Sequence, residues 1–298
     1  GRGDARNRFP RLTRSLDCSE CTSAYDSEMK GVAIMVGKNL RMKSLINAQT
    51  GRTVIVAMDH GQIIGPARGL EKPIEAFKRV VEGKPDAILT TRGMVQQGWE
   101  ALDPSIGLII RITGGFTVLG GRFEEAMISS VSHALKLGAT GVAVTVKYGH
   151  EREDDFIRQA SITADECYTW GMPLMTEVWP AGKNVKNPSD PSAVKLGSRA
   201  AAEYGTDIVK TFYPGSEEAC AEVVEGCPVP VVVLGGEKTD ASIEIFSMVE
   251  SAMKAGAAGV AMGRNVWGQP DPTRMIESLR GIVHDGWSAE QANGYFER

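Results

Sequence analysis

Eight short apolar runs alternate with longer amphipathic stretches through most of this sequence, and that alternation leaves few folds open. The runs are TVIVAM (53–58), AILT (87–90), LIIR (108–111), GVAVTV (141–146), PLMTEV (173–178), DIVKTF (207–212), VPVVVL (229–234) and GVAM (259–262). Each has strand length and is apolar almost throughout rather than at every second residue, the pattern of parallel strands covered on both faces. Parallel neighbours need a crossover of a dozen residues or so, usually a helix. Stretches such as PIEAFKRVVEGK, FEEAMISSVSHALKLG and DASIEIFSMVESAMKAG, with apolar residues at helical spacing, supply it. The junctions LGATGVAV (137–144) and AGAAGVAM (255–262) repeat one helix end, glycine turn and strand start, and EYGTDIVK (203–210) is a looser copy. This periodicity predicts an α/β protein with a (β/α)8 TIM barrel. No GxGxxG follows the first run, which weakens an open dinucleotide-binding sheet. KNLRMKSLINAQ (38–49) reads as a helix closing the base of the barrel.

Residues 31–298 form the expected single barrel domain, and residues 1–30 differ from it. The start GRGDARNRFPRLTRS is arginine-rich and lacks the apolar stretch of a secretory signal, so a disordered N-terminal extension is expected. Cys18 and Cys21 have the spacing of a redox or zinc pair, but no second pair accompanies them. The five cysteines are too scattered for a disulfide framework, which favours a reducing, cytoplasmic setting. A net charge of −4 gives no footing for nucleic acid, and no apolar run reaches the roughly 18–20 residues of a membrane helix.

In a barrel of this type chemistry sits where the strands end, at their C-terminal tips. Those tips carry Asp59-His60-Gly61, Thr91-Arg92-Gly93, Arg111 with Gly114-Gly115, Lys147-Tyr148-Gly149-His150, Glu177 with Trp179, Lys210 with Tyr213, Gly235-Gly236-Glu237-Lys238, and Gly263-Arg264-Asn265. Two of the four histidines, His133 and His284, lie away from the tips, so no metal site is expected. Lys210 interrupts a buried strand. Burial and a nearby cation such as Lys147 both disfavour a charged amine, and an uncharged one can attack a ketone or aldehyde. The iminium so formed accepts the electron pair released when the adjoining carbon–carbon bond breaks. A lysine in such a strand can instead pack its stem and send its ammonium to solvent. Two strand-tip lysines beside an acid favour catalysis, with Lys147 holding Lys210 neutral or assisting proton transfer.

Gly235, Gly236 and Gly263 allow backbone amides to approach an anion, and Arg264 and Lys238 add charge. A phosphate site after the last two strands recurs in this barrel, although glycines also serve tight turns. Asp59, and His60 beside it, can handle a substrate hydroxyl or its proton, and an N-cap is the plainer role for Asp59. Trp179 and Glu177 would shape the pocket, with Glu177 equally suited to pairing with a lysine.

Taken in order, VAMDHG (56–61), TTRG (90–93), DIVKTFYPG (207–215), VPVVVLGGEK (229–238) and GVAMGRNVW (259–267) resemble the class I aldolases of the archaeal-type fructose-bisphosphate aldolase group, within the deoxyribose-phosphate aldolase-like superfamily. The resemblance implies that Lys210 is the Schiff-base lysine, that Asp59 positions or deprotonates substrate, and that Gly235, Gly236, Gly263 and Arg264 bind phosphate. It also implies a ring-type homo-oligomer active in carbohydrate metabolism. The family's sugar-processing branches carry Tyr-Pro-Arg-Gly after the fifth strand, where the tyrosine donates a proton; here the segment is Trp179-Pro180-Ala181-Gly182. An indole N–H is no general acid, so proton transfer falls to Asp59, His60, Lys147 or Tyr148. DHGQIIGPARGLE (59–71) and GCPVP (226–230) are similar to the branch that processes phosphorylated autoinducer-2, a thiolase-like subgroup. The expectation is therefore a metal-independent aldolase or thiolase acting on a small phosphorylated ketose or dione, with no cofactor and with coenzyme A as co-substrate if an acyl group is moved. Two alternatives are a class I fructose-bisphosphate aldolase and a phosphosugar isomerase or epimerase without a covalent step. A non-catalytic barrel is disfavoured by the retention of Lys210.

Overall fold

A computed structural model describes residues 35–298 apart from 121–122, 237–238 and 240. The 1–30 segment, with Cys18 and Cys21, and the Lys238 assigned to phosphate binding thus lie outside the described residues. Val36–Arg298 is one compact unit.

All eight apolar runs are strands: β1 (Thr53–Ala57), β2 (Ala87–Thr91), β3 (Gly107–Arg111), β4 (Gly141–Tyr148), β5 (Leu174–Pro180), β6 (Ile208–Phe212), β7 (Val231–Leu234) and β8 (Gly259–Met262). Each pairs in parallel with its sequence neighbours, and β8 closes on β1 through Thr53 opposite Gly259, giving the expected barrel. The fourth and fifth strands run on to Tyr148 and Pro180, because their backbones remain paired from Val142–Leu174 to Tyr148–Pro180. The structure adds a hairpin between β3 and β4, pairing Thr113–Gly114 with Ala126–Met127.

The side-chain period of two sorts each strand into an inner and an outer set. Val54, Val56, Met58, Val260 and Met262 face outward and pack with residues such as Phe77, Phe246, Ile276 and Leu279 of the surrounding helices. On the other side of the barrel Ile110, Val142, Val144, Val146 and Val178 do the same against Phe156, Ala160 and Val194. Inside lies a separate core: Ile55, Ala57, Leu89, Ile109, Ala143, Met175, Ile208, Val232 and Ala261. Leu45, at the end of the helix Val36–Leu45, plugs its bottom. The base-closing helix foreseen at 38–49 therefore exists, shifted toward the N-terminus. It fits because Gly107 leaves room: a Cβ there would meet the Ser44 carbonyl oxygen at 2.7 Å.

Candidate active site

Two residues beyond the inner apolar layer, the same side of the barrel turns polar. Ala57 is followed by Asp59, Ile109 by Arg111, Ala143 by Thr145, Met175 by Glu177 and Ile208 by Lys210. All five of these polar residues are buried. The layer places two cations beside two carboxylates, so its charge is balanced without solvent.

Arg111 is its hub. Its Nε donates to Asp59 Oδ2 at 2.8 Å, one terminal nitrogen donates to Glu177 Oε2 at 2.7 Å, and the other donates to the Thr145 hydroxyl. Thr145 in turn donates to Glu177 Oε2 at 3.0 Å. The second carboxylate oxygen of Glu177 stands 2.5 Å from Lys210 Nζ, an ion pair made possible by the register that sets Glu177 opposite Lys210. Burial works to raise both acids, yet their neighbours prevail. Arg111 and Lys210 bring Glu177 down to about 2, and Arg111, His60 and Lys210 hold Asp59 far below the usual carboxylate range. Burial also opposes charge on Arg111, but Glu177 and Asp59 raise its pKa further still.

These contacts correct two sequence expectations. Asp59 is neither an N-cap nor a free proton carrier: the following helix Gly61–Ile64 has no side-chain cap, and Asp59 is held ionised by Arg111. Lys147 does not share an open pocket with Lys210. It points inward, completely buried, but the chain between β3 and β4 folds over it. Its ammonium donates to the Phe123 carbonyl at 2.7 Å, stands 3.6 Å from Glu125, and lies 3.0 and 4.2 Å from the ring centres of Phe123 and Phe116. Burial lowers Lys147 to about 8 despite Glu125, and burial raises Glu125 despite Arg111 and Lys147. Tyr148, one residue on, faces outward into the helix layer, where burial raises its phenol. It is no candidate for proton transfer.

A cavity opens above the polar layer, lined by Asp59, His60, Arg111, Glu177, Trp179 and Lys210 among others. It adjoins a second one that shares His60, Glu177, Trp179, Lys210 and Arg264 and continues to Gly235, Gly236 and Gly263. His60 thus borders both, with Nδ1 3.5 Å from Asp59 Oδ1, beyond a well-formed hydrogen bond. Its ring leans edge-on against Trp267, whose indole N–H donates to the Ala57 carbonyl at 2.9 Å. Gly263 must be glycine for this arrangement, since a Cβ would come 2.6 Å from the His60 ring. At the glycine ends Arg264 donates to the Gly236 carbonyl at 3.0 Å and Asn265 donates to that of Gly235 at 2.6 Å. Gly236 has φ of 63°, and a Cβ there would point into open space. Among the described residues, no cluster of three or more His, Cys, Asp or Glu side chains is placed to hold a metal ion.

The sequence reading set Arg111 at a strand tip without giving it a role, and passed over Thr145, Phe116, Phe123 and Glu125. The period of two could have found Arg111 and Thr145, since both continue inner-facing apolar series. Nothing local marks the other three, which reach the site from the connection between β3 and β4.

The sequence matches the DeoC/LacD family aldolase over residues 53–269. It is 34% identical over 262 residues to 2-amino-3,7-dideoxy-D-threo-hept-6-ulosonate synthase 1 of Archaeoglobus fulgidus, covering 88% of this chain and 96% of that protein. It is 32% identical over 252 residues to 2-amino-4,5-dihydroxy-6-oxo-7-(phosphonooxy)heptanoate synthase of Streptomyces griseus, covering 83% and 90%. The fold is similar to an archaeal fructose 1,6-bisphosphate aldolase with a TM-score of 0.76 and 28% identity, covering 84% of this chain and 100% of the other. A further archaeal fructose-1,6-bisphosphate aldolase structure, with its catalytic lysine covalently bound to the carbinolamine intermediate of the substrate, gives 0.76 and 29%, covering 83% and 99%. The chain belongs to the DeoC/LacD aldolase family and is a class I aldolase-type carbon–carbon lyase.

Proposed function

We propose that this aldolase makes or breaks a carbon–carbon bond in a small ketose bearing a phosphate, through an imine on Lys210. The observation that carries the reading is the placement of Lys210: buried within β6, paired with Glu177, and open to a cavity that runs to the glycine ends of β7 and β8. The amine attacks the ketone carbon, and loss of water from the carbinolamine leaves an iminium. The Glu177 carboxylate stabilises that cation in place, a preorganised electrostatic contribution. Removal of the proton from the β-hydroxyl then cleaves the bond, the electron pair passing to the iminium to give an enamine and a free aldehyde. Protonation and hydrolysis return Lys210.

Asp59, fixed as a carboxylate by Arg111, orients hydroxyls and balances charge. His60, bordering both cavities, moves the proton. Gly235, Gly236, Gly263 and Arg264 receive the phosphate. The relatives carry the names of aldolases and synthases, so aldol chemistry is preferred over acyl transfer to coenzyme A.

Borohydride reduction in the presence of dihydroxyacetone phosphate, followed by peptide mass mapping, tests the covalent step. A reduced adduct on Lys210, absent in Lys210→Met and indifferent to EDTA, is the expected result. His60→Asn should retain the adduct and lose about 100-fold in turnover, within the range for a general acid–base group. No adduct, or inactivation by EDTA, would favour the isomerase or epimerase alternative or a metal-assisted route.

A further inference from the structure

The geometry points to Glu125 as the acid–base residue of the imine steps, the group that takes a proton from Lys210 and gives it to the hydroxyl that leaves as water. This rests on the imine reading above and deepens it by placing two proton carriers in one site.

Among the described residues, three carboxyls line the cavity with Lys210: Asp59, Glu177 and Glu125. Arg111 hydrogen-bonds the first two, and both are held ionised. A carboxylate held so firmly makes a poor carrier, because it neither takes up nor keeps a proton near neutral pH. Glu125 is placed differently. It reaches the cavity from the connection between β3 and β4, and it is buried there. The charges facing it are Arg111 of β3, Lys147 of β4 and Glu177 of β5, with the Thr113 hydroxyl beside it. Lys147 Nζ stands 3.6 Å away, outside hydrogen-bond range, and donates to the Phe123 carbonyl at 2.7 Å. Burial, with Glu177, outweighs the two cations, and the Glu125 carboxyl titrates above the ordinary glutamic value. Carboxyls of one site that are driven apart in this way divide the fixed and the mobile proton between them.

Lys210 starts as the ammonium paired with Glu177. The Glu125 carboxylate takes one of its protons, directly or through a water, and the free amine adds to the ketone carbon. A second proton passes from the new nitrogen centre to the former carbonyl oxygen, giving the carbinolamine. Glu125, now the carboxylic acid, protonates that hydroxyl; it leaves as water while the nitrogen lone pair forms the C=N bond. The iminium carries the single positive charge that the ammonium had, so no net proton is exchanged with solvent. Hydrolysis runs the same steps in reverse. His60 is left to serve the substrate β-hydroxyl.

The test mixes the full chain with dihydroxyacetone phosphate, quenches it into borohydride at timed intervals, and follows the Lys210 adduct by mass. Each time course is normalised to its own final level, so partial misfolding does not alter the rate. Glu125→Gln should form the adduct about 100-fold more slowly than wild type, within the range for a general acid–base group. Glu125→Asp should recover part of the loss. In Glu125→Ala, sodium formate should accelerate adduct formation and sodium chloride should not. If Glu125 served only to pair with Lys147, its removal would change stability, and formate would bring no proton to the reaction. Wild-type rates in Glu125→Gln, or a Glu125→Ala rate that formate leaves unchanged, overturn the inference and leave the imine reading standing. Absence of a Lys210 adduct in the wild type overturns the imine reading, and this inference with it.

Discussion

At the scale of single residues, the site depends on Arg111 more than on any group that the sequence marks. A buried guanidinium that serves two carboxylates and a hydroxyl is expensive to remove, because each partner is left charged or polar without solvent. Arg111→Met should lower unfolding free energy by about 3–5 kcal/mol in urea titrations. Restoring charge with Arg111→Lys should recover only part of that loss, since a single ammonium cannot bridge the three acceptors. Lys147 makes an opposite contribution. Its ordinary value of 10.5 falls to about 8 on burial, so between those values the unfolded chain binds the extra proton. Keeping Lys147 charged inside the fold therefore costs roughly 3 kcal/mol below pH 8, and the cost disappears as pH rises from 8 to 10.5. Unfolding free energy measured against pH should climb across that window in the wild type relative to Lys147→Met. Lys210 and the glycine ends were legible in the sequence because each breaks a local rule: a charge in an apolar strand, or glycine where a strand stops.

Strands and their joints set the next scale. The barrel closes where Thr53 of β1 meets Gly259 of β8, and that seam admits no side chain. Gly259 has φ of 142°, and a Cβ there would stand 1.9 Å from the Thr53 carbonyl oxygen, a clash with backbone that cannot swing aside. Gly259→Ala should cost more than about 3 kcal/mol or yield insoluble chain, as judged by soluble yield and urea midpoint. Gly138→Ala separates strain from clash: φ is 81° but nothing lies within 4 Å, so about 1 kcal/mol is the expected loss. The eight strands could be read from sequence because both of their faces are buried, one inside the barrel and one beneath helices, which makes each run apolar from end to end. Where they stop could not. β4 and β5 continue through Lys147-Tyr148 and Trp179-Pro180 because their pairing, not their composition, carries them to Tyr148 and Pro180. The hairpin between β3 and β4 escaped notice because its strands are two residues long and carry no apolar run.

For the molecule as a whole, backbone pairing divides the closed barrel from the connection that lies over Lys147. Hydrogen exchange should show this directly: amides of β5 and β6, paired along both edges, should exchange only on global unfolding. Residues 115–120 should exchange orders of magnitude faster. Among the described residues, the backbone–backbone bonds that tie them down are those from Val118 to the Ile63 carbonyl and from Gly120 to the Thr117 carbonyl. Protection of that segment equal to the barrel's would contradict the division. The alternation of runs along the chain was by itself enough to determine the barrel, and it singled out the strand ends to search and the lysine proposed to form the imine, since these follow from period and position within a strand. The tertiary structure alone decided which groups touch. Arg111 rather than Lys147 neighbours Asp59 and Glu177, and Phe116, Phe123 and Glu125 close over Lys147. Contacts across a barrel depend on strand stagger and on the path of a connecting loop, and neither leaves a local trace in the residues that it joins.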